Sequence, residues 1–117
     1  MISRAHRFHG YGSLRYVYRS GRTTRGPLFS VTSVLNPRRQ RYRAAVVISR
    51  KVHKSAFGRN KMRRQLYEII RELEPKINQP YDIVLTVFHD TVLKEPHQSL
   101  VHQVKKQFRE AGILNSK

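Results

Sequence analysis

The residues best suited to chemistry in this sequence are basic side chains that recur on one side of a predicted long helix. From Arg59 to Arg71 they extend over roughly 18 Å at helical spacing. An arginine guanidinium binds phosphate oxygens through two parallel hydrogen bonds and stacks on unpaired bases. This side of the helix can therefore follow a nucleic-acid backbone, although Arg64 and Arg71 could instead form ordinary surface ion pairs with Glu68. Its basic and polar members are Arg59, Asn60, Arg63, Arg64, Tyr67 and Arg71.

A second anion-binding feature lies where this helix begins. Ser55 is a favourable N-cap residue, and the N–H groups of the first helical turn have no partner within the helix. Such groups attract phosphate, and Lys51 and Lys54 directly precede them. Gly58, in the same turn, costs about 1 kcal/mol relative to alanine, and the sequence gives no reason for it.

The distribution of charge predicts a polyanionic partner. The chain has 117 residues, with 24 Lys and Arg against 7 Asp and Glu, so its net charge is +17. Glu68 is the first acidic residue, and 17 of the cations precede it, so the whole excess belongs to residues 1–67. A compact domain with this much uncompensated charge repels itself, whereas solubility alone is served by a net charge of about 2–8. We therefore expect a nucleic acid, rather than a membrane surface or solvent alone, to meet this surface.

Other kinds of site have little support in the sequence. There is no cysteine, which excludes disulfides, thiolate nucleophiles and cysteine zinc sites. His97 and His102 are five residues apart, so they point about 140° away from each other on a helix and do not form a ligand pair. The longest apolar run, Ala44–Ile48, is far shorter than the roughly 20 residues that span a bilayer. We expect a soluble, cytoplasmic protein with no catalytic residue, no metal site and no obligate protein partner.

Turn signals and hydrophobic spacing, including one apolar core-facing stripe along each of the two long helices, predict the scaffold that positions these residues. The elements are a short helix capped by Ser13 and ended by Gly21, strands at Leu28–Leu35 and Arg43–Ser49, the helix from Ser55 to before Pro75, a strand at Tyr81–Phe88, and a helix from Pro96 to Gly112. The order is α-β-β-α-β-α in a single nucleic-acid-binding domain of residues 1–117, with 1–12 as a flexible basic tail or a loosely docked strand. We expect the first two strands to form a hairpin. If the second and third strands are parallel neighbours, the general rule predicts a right-handed crossover.

The segment Lys51–Arg64, KVHKSAFGRNKMRR, resembles the signature of the bacterial ribonuclease P protein family. In that signature, a strand ending in Ser-basic-Lys leads into an Arg-Asn-basic helix with two further basic residues. The resemblance extends over roughly residues 4–114. It implies an α/β fold of the α+β two-layer sandwich type, similar to a ribosomal-protein domain, with a left-handed crossover that breaks the general rule.

The resemblance also implies a function and its partners. Proteins of this family bind a large catalytic RNA, and the complex removes the 5′ leader from precursor tRNA. The RNA carries out the hydrolysis with Mg²⁺, for which no dedicated site is expected in this chain. The positions that match the family's RNA contacts are Ser49, Arg50, Lys51, Arg59, Asn60, Lys61, Arg63 and Arg64, to which the helix chemistry adds Lys54 and Arg71. The positions that match the leader-binding cleft are Leu14, Tyr18 and Thr32.

Some of these positions depart from the family pattern. Leu14 and Thr32 stand where aromatic residues are common, so stacking in the cleft must depend more on Tyr18, with Tyr16 as a second candidate ring. Lys61 keeps a positive charge but lacks the guanidinium fork. Tyr67 replaces a basic residue, and we expect it to offer a stacking surface instead. The alternative function is that of a structural ribosomal protein or another non-catalytic RNA-binding protein, which would have no leader-binding cleft.

Overall fold

A four-stranded mixed sheet forms the middle of the molecule, and helices cover both of its faces. The computed structural model describes residues 11–77 and 79–114. In chain order the elements are α1 (Tyr11–Ser20), β1 (Arg22–Arg25), β2 (Phe29–Leu35), β3 (Arg43–Ile48), α2 (Ala56–Leu73), a 3₁₀ helix (Glu74–Lys76), β4 (Tyr81–Val87), a second 3₁₀ helix (Asp90–Leu93) and α3 (His97–Glu110). Within the described part, no helix is long and apolar enough to cross a membrane.

The strands are arranged in the order β1-β2-β4-β3. β2 pairs antiparallel with β1 and β4, and β3 pairs parallel with β4. α2 connects the two parallel strands, as expected from the sequence, and the handedness of this crossover stays a prediction. The α-β-β-α-β-α order is confirmed, with β1 as an additional edge strand.

The predicted hairpin between β2 and β3 is wrong, because β4 lies between these strands. The connection from β2 to β3 has seven residues, 36–42, whereas hairpin loops usually have about 2–5. A loop of that length easily passes one intervening strand, a distance of roughly 10 Å. β2 forms its hairpin with β1, a segment that is too short and too polar for its hydrophobic pattern to show a strand.

Hydrogen bonds near the start of β3 fix its position beside β4. The Arg43 guanidinium donates to both carboxylate oxygens of Asp82, each at 2.9 Å, and Asn36 Nδ2 donates to the same carboxylate at 2.9 Å. Asp82 is buried, so this carboxylate ties the end of β2 and the start of β3 to β4 from the inside.

The Tyr42 hydroxyl donates to Glu74 Oε1 at 2.6 Å, and burial, together with this bond, raises the pKa of Tyr42.

Alternation along the strands divides the sheet into two faces. The larger core lies between one face and the helices α2 and α3, and it includes Phe29, Val31, Ile83, Leu85, Met62, Leu66, Ile70, Leu100, Val104 and Phe108. A smaller cluster of Val17, Ala45 and Val84 lies under α1 on the opposite face. The apolar stripes predicted for the two long helices are therefore confirmed as core.

The ends of α1 differ in part from the prediction. The helix begins at Tyr11 and thus includes Ser13, so the prediction of Ser13 as its cap is wrong. Gly21 follows the helix, and its N–H donates to the Val17 carbonyl oxygen at 2.7 Å. Residues 11 and 12, assigned to the N-terminal tail, belong to α1, and the rest of that predicted tail lies outside the described residues.

The end of α3 confirms Gly112 as the stop signal. Gly112 has a φ of +77°, a conformation that glycine adopts without steric cost. The N–H of Ile113 then donates back to the Phe108 carbonyl oxygen at 2.9 Å, which is the Schellman arrangement. This turn returns Ile113 to the core.

Candidate nucleic-acid interface

Ser55 caps α2 as predicted. Its backbone is extended, and its hydroxyl oxygen accepts a hydrogen bond from the Gly58 N–H at 3.2 Å. The neighbouring Ser55 N–H donates to His53 Nδ1 at 3.1 Å. Ser55 thus links the two segments: its N–H donates to the loop residue His53, and its hydroxyl oxygen accepts from the first turn of the helix.

The presence of glycine at position 58, which the sequence does not explain, has a structural reason in the fold. The His53 imidazole lies against this part of the helix, and a Cβ on residue 58 would come within 2.4 Å of the ring atom Cε1. No side chain fits there unless the ring moves. Glycine at residue 58 therefore leaves the space in which the His53 ring packs directly on the helix backbone.

Arg59 holds the loop against the helix. Its Nη1 donates to the carbonyl oxygens of His53 and Lys54, both at 2.9 Å, and the side chain is half-buried. One nitrogen of the guanidinium is therefore committed to the protein backbone. Arg59 shapes the basic surface as well as adding charge to it.

Most of the remaining predicted contact residues lie on the first half of α2 and the loop before it, whereas Arg71 lies in the last turn of the helix. Arg63 is half-buried, and its Nη1 donates to Asn60 Oδ1. Arg71 forms an ion pair with Glu68 at 3.2 Å, so the surface-pairing alternative holds for this arginine. The exposed members are Arg50, Lys51, Lys54, Asn60, Lys61, Arg64 and Arg71.

Tyr67 does not offer a stacking surface, and that expectation is wrong. Its side chain is 7% exposed, and its hydroxyl accepts a hydrogen bond from the N–H of Val46 at 3.1 Å. Because β3 is an edge strand, this N–H has no strand partner on its outer side. Tyr67 thus fills the core and satisfies the sheet edge, two tasks that a basic side chain could not perform.

The opposite face of the sheet contains the three positions matched to the cleft. Tyr18, on α1, is 47% exposed. Its hydroxyl forms a hydrogen bond of 2.8 Å with Thr86 Oγ1 of β4, and this bond fixes the ring against the sheet. Leu14 is half-buried against the small apolar cluster under α1. Thr32 is 2% exposed, and its hydroxyl is bonded to Thr23 Oγ1 at 3.0 Å. Of the three, only Tyr18 presents a large side chain to solvent.

The structure adds residues to this face that sequence reasoning missed. The Arg25 guanidinium lies 4.3 Å from the centre of the Phe88 ring, a cation–π contact. α1 packs over β2 and β4. Val47 lies on the same face of the sheet but on β3, which α1 does not cover, and it is half-buried. The only sequence signal for Arg25 was the pair of β-branched threonines before it, which is weak.

Carboxylates and histidines do not gather in the described part of the chain. No group of three or more His, Cys, Asp or Glu residues there could hold a metal ion. His97 faces Glu72 at 3.8 Å instead of approaching His102, and His89 Nδ1 accepts from the Thr91 N–H. These histidines thus have local surface contacts.

Comparison with known proteins identifies a family. A family model described as Ribonuclease P matches residues 2–112. A ribonuclease P protein component from Chloroflexus aurantiacus is 33% identical over 113 residues, which cover 97% of this chain and 82% of the relative. One from Pseudanabaena sp. is 33% identical over 100 residues, covering 85% of this chain and 84% of the relative.

Solved structures show the same fold. The RNase P protein of Staphylococcus aureus superimposes with a TM-score of 0.83 at 18% identity, covering 94% of this chain and 98% of that one. The RNase P protein of Thermotoga maritima gives 0.74 at 20% identity, covering 83% and 89%. The alternative of a structural ribosomal protein is not favoured by any of these matches. The chain belongs to the ribonuclease P protein family, and it is the protein subunit of a holoenzyme whose RNA carries the catalysis.

Proposed function

We propose that this subunit binds the ribonuclease P RNA through the exposed side of α2 and the loop before it. This α2 surface consists of Arg50, Lys51, Lys54, Arg59, Asn60, Lys61, Arg63, Arg64 and Arg71. The observation that carries the proposal is the set of bonds from Arg59, His53 and Ser55, which holds the loop cations beside the start of the helix. RNA phosphates would meet cations that are already in place, so little conformational entropy is lost on binding.

An aromatic side chain belongs to the same surface. Phe57, on the first turn of α2, is 73% exposed, although phenylalanine is among the residue types most often buried. Because base stacking on an aromatic ring is worth about 1–3 kcal/mol, an unpaired base of the RNA has a platform there. Phe57 would supply the stacking surface that buried Tyr67 cannot.

The 5′ leader of precursor tRNA would lie on the opposite face of the sheet. Tyr18 offers a ring whose orientation is fixed by Thr86, and Arg25 supplies a cation at the same face. A single strand needs this combination of aromatic and basic groups, because bases stack and phosphates seek positive charge. Leu14 and Thr32 would support the cleft from below, since both are at least half-buried.

Mg²⁺ would be held by the RNA and not by this chain. The described residues contain no group of three or more His, Cys, Asp or Glu that could hold a metal ion, and Asp82 and Glu95 accept bonds from Arg43 and Ser99. This donor set does not fit a dedicated magnesium site. The protein would act on the ion indirectly, by placing positive charge and substrate beside the RNA.

The α2 surface can be tested by the salt dependence of RNA binding. Each protein–phosphate contact contributes roughly 0.7–0.9 to the slope of log K against log salt. Arg63→Ala combined with Arg64→Ala should therefore weaken binding to ribonuclease P RNA and lower the slope by about one to two. Filter binding or fluorescence anisotropy over a salt series measures both quantities.

The matched control for this test removes the same charge from elsewhere. Arg38→Ala combined with Lys94→Ala deletes two exposed cations that lie on separate loops. Its slope should stay near that of the unmodified protein. Equal slopes for the two double variants would contradict the proposal, because net charge and not the α2 surface would then govern binding.

A further inference from the structure

The outer side of α3 carries a stripe of basic residues. His102, Lys105, Lys106 and Arg109 follow one another at i, i+3, i+4 and i+7, which places them on one side of the helix. Leu100, Val104 and Phe108 occupy the opposite, buried side. The stripe is about 10 Å long at 1.5 Å per residue. Its charge is not apparent from the composition, because residues 68–117 contain equal numbers of basic and acidic residues.

Lys76, from the 3₁₀ helix that follows α2, extends this stripe. Its ammonium group is near that of Lys105, and the proximity of Lys76, together with the charge of Arg109, lowers the pKa of Lys105. Cations held this close to one another repel, and the repulsion is relieved when an anion binds between them. We call the set of Lys76, His102, Lys105, Lys106 and Arg109 the α3 surface.

The α3 surface is concave as well as basic. Four of its residues line a pocket of about 470 Å³, and His102 and Lys106 also line an adjoining pocket of about 340 Å³ beside the β1–β2 turn. Both depressions are open to solvent, which suits a polyanion backbone that passes over the surface rather than an enclosed small ligand. Glu110 is the acidic residue at the margin of the second pocket.

The position of α3 separates this surface from the α2 surface. α3 packs over β1 and β2, at one edge of the sheet, whereas α2 packs over β3, at the other edge. Both helices nevertheless cover the same face, opposite α1 and Tyr18. An RNA bound to α2 therefore lies on the side of the molecule where α3 is exposed, whereas the proposed leader site is on the far side.

We propose that the α3 surface is a second contact for the phosphate backbone of the ribonuclease P RNA. The inference rests on the proposed RNA-binding function and extends it to a second element. With cations at both edges of one layer, the subunit would bridge two separate segments of a folded RNA. Charge complementarity supports this occupant, since a polyanion relieves the repulsion between Lys76 and Lys105.

The test compares double variants in binding to ribonuclease P RNA alone. Lys105→Ala combined with Arg109→Ala should lower the slope of log K against log salt by about one to two. Alanine favours helix, so α3 should form in this variant. Arg38→Ala combined with Lys94→Ala again serves as the charge-matched control, and circular dichroism confirms folding. Hydroxyl-radical footprinting should show that the α3 variant exposes a different RNA segment from the α2 variant Arg63→Ala/Arg64→Ala.

Each outcome distinguishes the two proposals. If the α3 variant matches the control while the α2 variant lowers the slope, the α3 contact is overturned and the α2 interface stands. If only the α3 variant lowers the slope, the α3 contact is supported and the α2 interface fails. If the α3 variant binds the RNA normally but weakens precursor tRNA binding to the assembled holoenzyme, the contact belongs to tRNA and our choice of partner is wrong.

Discussion

At the scale of single residues, the basic surface is shaped by hydrogen bonds and packing contacts to neutral groups. Arg59 bonds to two loop carbonyl oxygens, and His53 packs on the backbone of Gly58. These contacts decide where Lys51 and Lys54 lie relative to the helix. The RNA affinity of the surface should therefore depend on neutral residues as well as on arginines.

The contact between His53 and Gly58 gives a stability prediction. Gly58→Ala should lower the free energy of unfolding, because the new Cβ displaces the His53 ring and weakens its bond to Ser55. In a His53→Ala background, the same change should raise stability by up to about 1 kcal/mol, since only the helix propensity of alanine remains. Urea unfolding of the four proteins in this double-mutant cycle measures the difference. The same sign in both backgrounds would show that the ring does not constrain residue 58.

At the scale of elements, a buried carboxylate organises the sheet. Asp82 of β4 accepts bonds from Arg43 at the start of β3 and from Asn36 after β2. Asp82 follows Arg43 by 39 residues and Asn36 by 46, so this carboxylate helps to place the distant β4 between β2 and β3. The result is the strand order β1-β2-β4-β3, in which β4 separates the two strands expected to form a hairpin, β2 and β3.

Removal of this carboxylate should be costly. Asp82→Ala removes the buried carboxylate that pairs with the Arg43 guanidinium, which is 15% exposed, and breaking such a buried ion pair costs about 3–5 kcal/mol. Asp90→Ala, at an exposed position, should change stability by no more than about 0.5 kcal/mol. Chemical denaturation of both variants compares them directly. Similar small losses would mean that strand order does not depend on Asp82.

The same elements show how far the sequence could predict the structure. Helix stripes, the Ser55 cap and the Gly112 stop follow from local spacing and backbone preference, and all three are confirmed. The place of β4 in the sheet and the burial of Tyr67 depend on residues far apart in the chain, which no local pattern shows. For the candidate site, the basic residues could be predicted but not the carbonyl oxygens that Arg59 bonds.

At the scale of the whole molecule, the sheet separates two kinds of surface. The face with α2 and α3 carries the cations proposed for the ribonuclease P RNA, and the face with α1 carries the exposed Tyr18 ring. A small scaffold with helices on both faces of its sheet would thus contact the catalytic RNA on one side and the leader on the other. The excess of positive charge serves both, because each partner is a polyanion.

The most direct test of this arrangement compares precursor and mature tRNA binding to ribonuclease P RNA, with and without the protein, at low Mg²⁺. The protein should strengthen binding of the precursor more than that of the mature tRNA and lower the Mg²⁺ needed for cleavage. Tyr18→Ala should reduce this preference by about tenfold, given stacking worth about 1–3 kcal/mol, whereas Tyr16→Ala serves as the exposed-tyrosine control. Equal strengthening of both tRNAs would contradict a leader site on the protein.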